Sequence, residues 1–412
     1  MAPADHIGGL GSAFWWLWSA STASNVADGV VKVAVPLVAV AATRSPALVA
    51  GVAVAVTLPW LLLALPVGAL VDRWDRRRAM VTANVVRAAG AGLLALALLG
   101  DDDAAAIGLL YAAAFVVGSA ETVHDIAAQA VVPLVVPPAQ LSRGNSRLQA
   151  AELAANEFVG PPLGGLLVGV GAALALAVPA ATWALAVLAL VVLPGTFRAR
   201  RPPGAGRTTL RAEIDEGLGY LWRHRVLRRL ALTTGAFNLA SNATFAVLVL
   251  WAVGPRSALG LTGTGYGLLF AAIAAGVLVG ATLAERVERA LGPARAVVVG
   301  YLVTVPQFAV LAITDDVALV AVAFVVGGVG LGTWNVIVVS MRQRVTPDHL
   351  MGRMSSGYRL VAYGTRPLGA ALGGAVAQVL GVRAVFLLAC AVVLVGAVGP
   401  LRTTDGDLGA GS

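Results

Sequence analysis

Gly68-Ala69-Leu70-Val71-Asp72-Arg73-Trp74-Asp75-Arg76-Arg77-Arg78 joins two long apolar runs and crowds six charges into seven residues, 72–78. A stretch this charged between stretches this apolar reads as a tight aqueous turn between two membrane crossings. A crossing helix needs about 20 mainly apolar residues. Walking outward at that length predicts twelve: 13–41, 46–70, 79–100, 105–134, 146–172, 175–194, 229–253, 262–284, 294–313, 317–340, 354–380 and 382–400. Prolines inside them, such as Pro59, Pro66, Pro161 and Pro162, suit packed membrane helices.

Composition agrees. The 412 residues are 58% apolar and only 12% charged, with a net charge of +8 and a mean hydropathy of +0.85. Soluble domains carry about 25% charged residues, so a soluble enzyme and a disordered chain are both excluded. The basic excess does not indicate nucleic acid, because nearly all of it is Arg in loops between the apolar runs. Loops on the side of both termini hold 22 Arg, against Arg44, Arg256 and Arg383 on the other side. The positive-inside rule then places both termini in the cytoplasm of a multi-pass cell-membrane protein. Residues 1–12 lack an export-signal layout, so the first span is expected to be retained. Cys390 lies in an apolar run and is read as packing, and no lipidation motif is present.

The chain is predicted to divide into a first six-helix half (1–194), a cytoplasmic linker (195–228) and a second six-helix half (229–412). Leu210, Ile214, Leu218 and Leu221 in the linker have helical spacing, which predicts an amphipathic helix on the inner leaflet; a solvated linker helix without regulatory role is the plainer alternative. The halves echo each other. Asp72-Arg73-Trp74-Asp75-Arg76 matches Glu285-Arg286-Val287-Glu288-Arg289, and Pro138-x-x-Leu141 matches Pro347-x-x-Leu350. Gly160-x-x-Leu163-Gly164-Gly165 matches Gly369-x-x-Leu372-Gly373-Gly374, and Ala23-Ser24-Asn25 recurs as Ala240-Ser241-Asn242. Four matches in one order, at offsets of 209 to 217, argue for a duplicated six-span unit, as in transporters built from repeats.

On these residues the chain resembles the major facilitator superfamily. The 68–77 stretch resembles its signature loop, and Gly160-Pro161-Pro162-Leu163-Gly164-Gly165 resembles its antiporter motif. The run from Glu121 to Gly165 is similar to the branch of macrolide efflux pumps and the enterobactin exporter. The resemblance implies an all-α fold of two pseudo-symmetric six-helix bundles and a gating role for Gly68, Asp72, Arg73, Arg76 and Arg77. Physically, Gly68 is expected to let helices approach closely, and Asp72 to accept hydrogen bonds from a helix N-terminus or an Arg. Lipid anchoring is the alternative for Arg76 to Arg78. For Gly160, Pro161, Gly164 and Gly165 the resemblance implies leak-tight antiport, and plain helix packing is the alternative.

Ionisable groups within a bilayer point by default to a pathway or a partner. Asn25, Asp28 and Lys32 share one face of span 1, and Asp28 and Lys32, four apart, are expected to neutralise each other; the alternatives are a proton- or substrate-binding carboxylate and a static pair. Glu121 and Asp125 share a face of span 4, cannot both ionise cheaply, and take Arg87 as candidate partner. His124 is a neighbouring titratable group. Glu152, Asn156 and Glu157 follow in span 5. Glu157 corresponds by repeat to Arg366, with Arg359 seven residues earlier, so Asn25, Glu157, Asn242, Arg359 and Arg366 are expected at the cavity wall or between halves. Trp15, Trp16 and Trp18 read as an interface belt. Asn238, Gln307, Trp334, Asn335 and Tyr363 are further candidates for substrate contact.

No phosphate loop, metal-ligand spacing or Gly-x-Ser-x-Gly is found, so no cofactor, metal or catalytic set is expected. The expectation is a monomeric secondary transporter in contact with membrane lipids, exporting amphipathic small molecules such as drugs or siderophores against protons. Uptake by symport, a non-transporting sensor or partner subunit, and a membrane enzyme are the alternatives.

Overall fold

The computed structural model describes residues 9–71, 73–99, 103–195, 197, 210–347 and 350–401. The expected gate residue Asp72, the acidic pair Asp101 and Asp102, and linker residues 198–209 lie outside them. The described chain is built of helices, with one isolated β-bridge between Val253 and Leu261. The first six crossings are α1 (Ser12–Ala42), α2 (Pro46–Val71), α3 (Arg76–Ala97), α4 (Asp103–Val135), a broken fifth, and α7 (Ala172–Val192). The fifth is a 3-10 turn (Pro138–Gln140), α5 (Leu141–Glu152), a π-helical segment (Leu153–Val159) and α6 (Gly160–Val170). The linker helix α8 (Leu210–Arg223) leads into α9 (Arg225–Ala252) and α10 (Gly263–Leu291). The ninth crossing is α11 (Pro293–Leu302) with α12 (Pro306–Ile313), followed by α13 (Val317–Val345), α14 (Met351–Leu380), and α15 (Val382–Gly396) with α16 (Val398–Leu401).

Eleven of these crossings are long and apolar enough to span a membrane by length and composition. The twelfth, α14, has the length but carries Arg359 and Arg366. The break in the ninth crossing was not expected. Pro306 has no N–H to donate and opens α12 at its first position, where none is needed.

With lipid tails as apolar as leucine, membrane helices associate by close van der Waals packing of small residues. Each motif glycine of the fifth crossing meets a backbone. A side chain at Gly160 would strike Gly29, one at Gly164 the Val30 carbonyl, both on α1, and one at Gly165 the Gly263 carbonyl of α10. The second copy repeats this: Gly369 and Gly373 of α14 lie on Leu239 and Ala243 of α9, and Gly374 lies on Ala50 of α2. The recurrent Pro-x-x-Leu is one turn used twice, since the Leu141 amide donates to the Pro138 carbonyl and that of Leu350 to Pro347. The repeat is thus structural. Gly68 corrects its expectation, because nothing lies within 4 Å of where its side chain would be.

Helices before and after the linker meet chiefly through α2 on α14 and α6 on α10. At the end carrying residues 43–46 and 253–262, one apolar core runs through both groups, joining Val38 and Val49 to Val247, Phe270 and Phe386. At the termini's end the core is split, with Phe14, Met80 and Phe197 in one part and Leu227, Trp334 and Met354 in the other. The apolar core is therefore continuous between the two groups at one end only, the closed end. Ser45 Oγ donates to Gln378 Oε1 at 3.1 Å across the closed end, and Arg44 Nη1 donates to the Val253 carbonyl at 3.4 Å.

The linker helix departs from the inner-leaflet expectation. It packs on α14 and α9, with Leu221 fully buried and Leu218 against Gly357, so these two leucines of its apolar stripe meet protein.

Replacing Gly165 with Leu is expected to lower the melting temperature or abolish monodisperse extraction, at the ~1–3 kcal/mol or more that overpacking costs. Gly169→Leu, at a position with nothing within 4 Å, should behave as wild type in the same size-exclusion and thermal-unfolding assays.

Candidate functional site

At mid-depth, α1, α3, α4, the π segment and α14 bring charged residues together, and α7 adds the ring of Trp183. Arg87 of α3 is fully buried, and its Nη2 is paired with Asp28 Oδ1 of α1, whose side chain keeps 13% exposure. Arg87 Nη1 donates to Ser24 Oγ at 3.0 Å and to Asn84 Oδ1 at 3.2 Å. The guanidinium also lies 4.8 Å from the centroid of the Trp183 ring of α7. One cation thus ties α1 and α7 to α3. The planar guanidinium, always charged and forked, suits this combination of ion pair, hydrogen bonds and ring face better than an ammonium would.

This corrects the expected Asp28–Lys32 pair. Asp28 takes Arg87, and Lys32 instead donates to both Glu157 carboxylate oxygens at 2.7 Å. Lys32 Nζ also lies 5.7 Å from the Phe270 ring of α10, which puts the Lys32–Glu157 pair beside the opposing group of helices. Arg87 is likewise not hydrogen-bonded to Glu121 or Asp125. Those carboxylates nevertheless lie within electrostatic reach of Asp28 and Arg87, and Arg366 lies within reach of Glu121. His124, buried beside them, places Nδ1 3.2 Å from Asp125 Oδ1.

Glu157 sits in the π segment, a geometry that shifts the helix face and recurs at functional sites. Nothing in the sequence signalled it. Glu157 and Arg366 do not pair with each other: Arg366 stacks on Tyr363 at 4.2 Å. Arg359 reaches across from α14 to Gln129 Oε1 of α4 at 3.4 Å. Beside it, Trp60, Leu65, Ile126, Tyr363 and Gly68 line a cavity of about 150 Å³ between α2, α4 and α14, with Trp60 and Tyr363 edge to face at 6.3 Å. Asn25 and Asn242 donate to the carbonyls of Ser21 and Asn238 on their own helices, a matched pair of back-bonds. Gln307 and Trp334 are buried in the apolar core, which corrects their reading as cavity contacts.

Around the signature loop, Asp75 Oδ1 caps α3 by accepting from the Arg78 amide at 3.0 Å. Arg77 Nη1 donates to the Leu193 carbonyl at the end of α7, at 2.7 Å, where a cation complements the helix dipole. The Arg76 amide donates to Phe197. Arg76 is buried and Arg73 exposed, so Arg76 and Arg77 hold α3 to α7 instead of facing head groups. In the second copy, Arg344 pairs with Glu288 at 2.7 Å.

The whole of this architecture matches known proteins. Residues 10–404 fit the family described as transmembrane secretion effector. The multidrug efflux pump Tap of Mycobacterium tuberculosis (strain ATCC 25618 / H37Rv) is 30% identical over 404 residues, 94% of this chain and 92% of that protein. Tap of Mycolicibacterium fortuitum is 28% identical over 398 residues, 93% of each. The nucleoside transporter NupG shares the fold at a TM-score of 0.75 and 11% identity, covering 96% of this chain and 100% of its own. A bacterial homologue of the iron transporter ferroportin does so at 0.75 and 17%, covering 95% and 98%. The chain therefore belongs to the transmembrane secretion effector family of major facilitator transporters; it is a multi-pass membrane transporter and not an enzyme.

Asp28→Ala strands the buried Arg87 charge and is expected to cost roughly 3–5 kcal/mol of stability. Asp28→Leu combined with Arg87→Met should cost clearly less than the two single losses added. Thermal unfolding of wild type, Asp28→Leu, Arg87→Met and the double variant, each purified in detergent, measures that coupling.

Proposed function

We propose that this chain exports amphipathic small molecules, drugs or siderophores among them, in exchange for protons. The halves 1–194 and 229–412 alternate access around the mid-depth site, joined by the 195–228 linker, with both termini in the cytoplasm. The observation that carries the reading is the Asp28–Arg87 pair, set within electrostatic reach of Glu121 and Asp125, with Arg366 of the other half within reach of Glu121. A proton arriving on Asp28 removes the principal anion of Arg87. Other carboxylates are close enough to take over that charge, so protonation is linked to rearrangement.

Three further features support export. The Arg-rich end, assigned to the cytoplasm, is the one at which the apolar core is split, as loading from inside requires. The cavity wall combines aromatic and aliphatic groups with Arg359, which suits ligands with an apolar body and a polar end. The relatives named multidrug efflux pump Tap move drugs outward.

In proteoliposomes, a panel of macrolides, cationic dyes and catecholate siderophores should include a substrate whose movement drives proton flux. Asp28→Asn is expected to lower that flux at least tenfold, and Glu121→Gln tests the second carboxylate. Transport without proton movement, or wild-type flux in both variants, overturns the coupling.

Alternation predicts that the closed end must open. With Cys390→Ser as background, a disulfide between Ser45→Cys and Gln378→Cys should stop transport, and reductant should restore it. Undiminished flux in the cross-linked protein would remove this end from the cycle.

A further inference from the structure

A second cavity, of about 650 Å³, lies between α2, α3 and α4. No helix beyond the linker lines it, and α3 packs mainly on α4 and α7, so it faces away from the opposing half and opens sideways. Its walls are apolar: Leu63, Val86, Phe115 and Val116 surround a floor of Ala79, Ala83 and Ala120. Val86, Phe115 and Val116 are exposed. The small residues of the floor are what make the groove.

Its other end is cationic. Arg73, Trp74 and Arg78 form the rim and are exposed, and among the described residues neither guanidinium has a protein partner. Asp75, the acidic member of the rim, is held by its bond to the Arg78 amide at the start of α3. Rim and floor lie along one helix: Arg78 to Val86 spans about 12 Å at ~1.5 Å per residue. That is the depth from head group to upper acyl chain. Trp74 marks the interface level at which aromatic side chains sit.

We propose that this groove is a binding site for an anionic phospholipid, with the phosphate on Arg73 and Arg78 and one acyl chain along Val86, Phe115 and Val116. Charge complementarity favours an anionic head group, and the lateral, apolar floor favours a chain-bearing ligand over a soluble anion. The pseudo-equivalent place in the second half differs where it matters. At the repeat offset of 213, Val287 stands in place of Trp74 and Leu291 in place of Arg78, so one of the two arginines and the interface tryptophan are missing there.

Native mass spectrometry of the purified protein, with phosphatidylglycerol or phosphatidylcholine added in equal amounts, tests the site. Phosphatidylglycerol should be retained preferentially. Each arginine removed should weaken it roughly fivefold, so Arg73→Gln with Arg78→Gln should lose more than tenfold. Thr82→Phe, which fills the groove from an exposed position, should abolish retention without touching the core. Arg256→Gln, at the far end, should retain the lipid as wild type does. Equal retention of the two lipids, full retention by Thr82→Phe, or displacement by millimolar glycerol 3-phosphate would each overturn the proposal.

Discussion

Backbone-to-backbone contact at glycine holds this molecule together. Within a bilayer, apolar side chains gain little by leaving lipid for protein, and association rests on how closely helices approach. Gly160, Gly164 and Gly165 seat α6 on α1 and α10. Their repeats Gly369, Gly373 and Gly374 seat α14 on α9 and α2. Each glycine-bearing helix therefore touches one helix of its own half and one of the other. Side chains in those places would separate the halves at the same contacts that now join them, so the antiporter-like motif and the packing of the molecule are one feature.

That fixed frame explains why the charged residues can be so unlike in the two halves. In the first, Arg87 gathers Asp28, Ser24, Asn84 and Trp183. In the second, Phe245 stands where Asp28 does by repeat, and Phe237, Tyr301, Phe308 and Trp334 pack ring to ring. A duplicated backbone carries an ion network on one side and an apolar, ring-filled core on the other, because glycine contacts and not side-chain chemistry set the helix positions.

The fold was legible because its signals are local. Span length, arginine placement and the recurrence of Gly-x-x-Leu-Gly-Gly need only the chain itself. Partner choice was not. Asp28 and Lys32, four apart on a helix, invite pairing, but tertiary packing brings α3 and the π segment against α1 and divides the two between Arg87 and Glu157. The π segment has no compositional mark, so the face on which Glu157 emerges could not be read. Gln307 and Trp334 looked like cavity residues because polar and aromatic groups in a span are ambiguous, and only burial distinguishes a core position from a wall. The linker helix misled similarly: its apolar stripe fits lipid and protein equally well.

A transporter changes state only if something it binds interacts differently with the two states. Within the first half, the Arg87 network is built from α1, α3 and α7, which pack on one another, and a rigid-body motion of one half against the other leaves it unchanged. The charges that such a motion would alter are Arg359 and Arg366 on α14 and the Lys32–Glu157 pair, which lies beside α10. Arg359 reaches Gln129, and Arg366 shares the electrostatic environment of Glu121, both across the gap to α4. Protonating a carboxylate on the first half changes what Arg366 gains by staying close, and separating the halves changes what that carboxylate gains by staying ionised. The two are one linkage seen from either side. Any coupling that begins with a proton on Asp28 therefore needs the neighbouring carboxylates to carry it to the contacts between halves, those of Arg359, Arg366 and the Lys32–Glu157 pair.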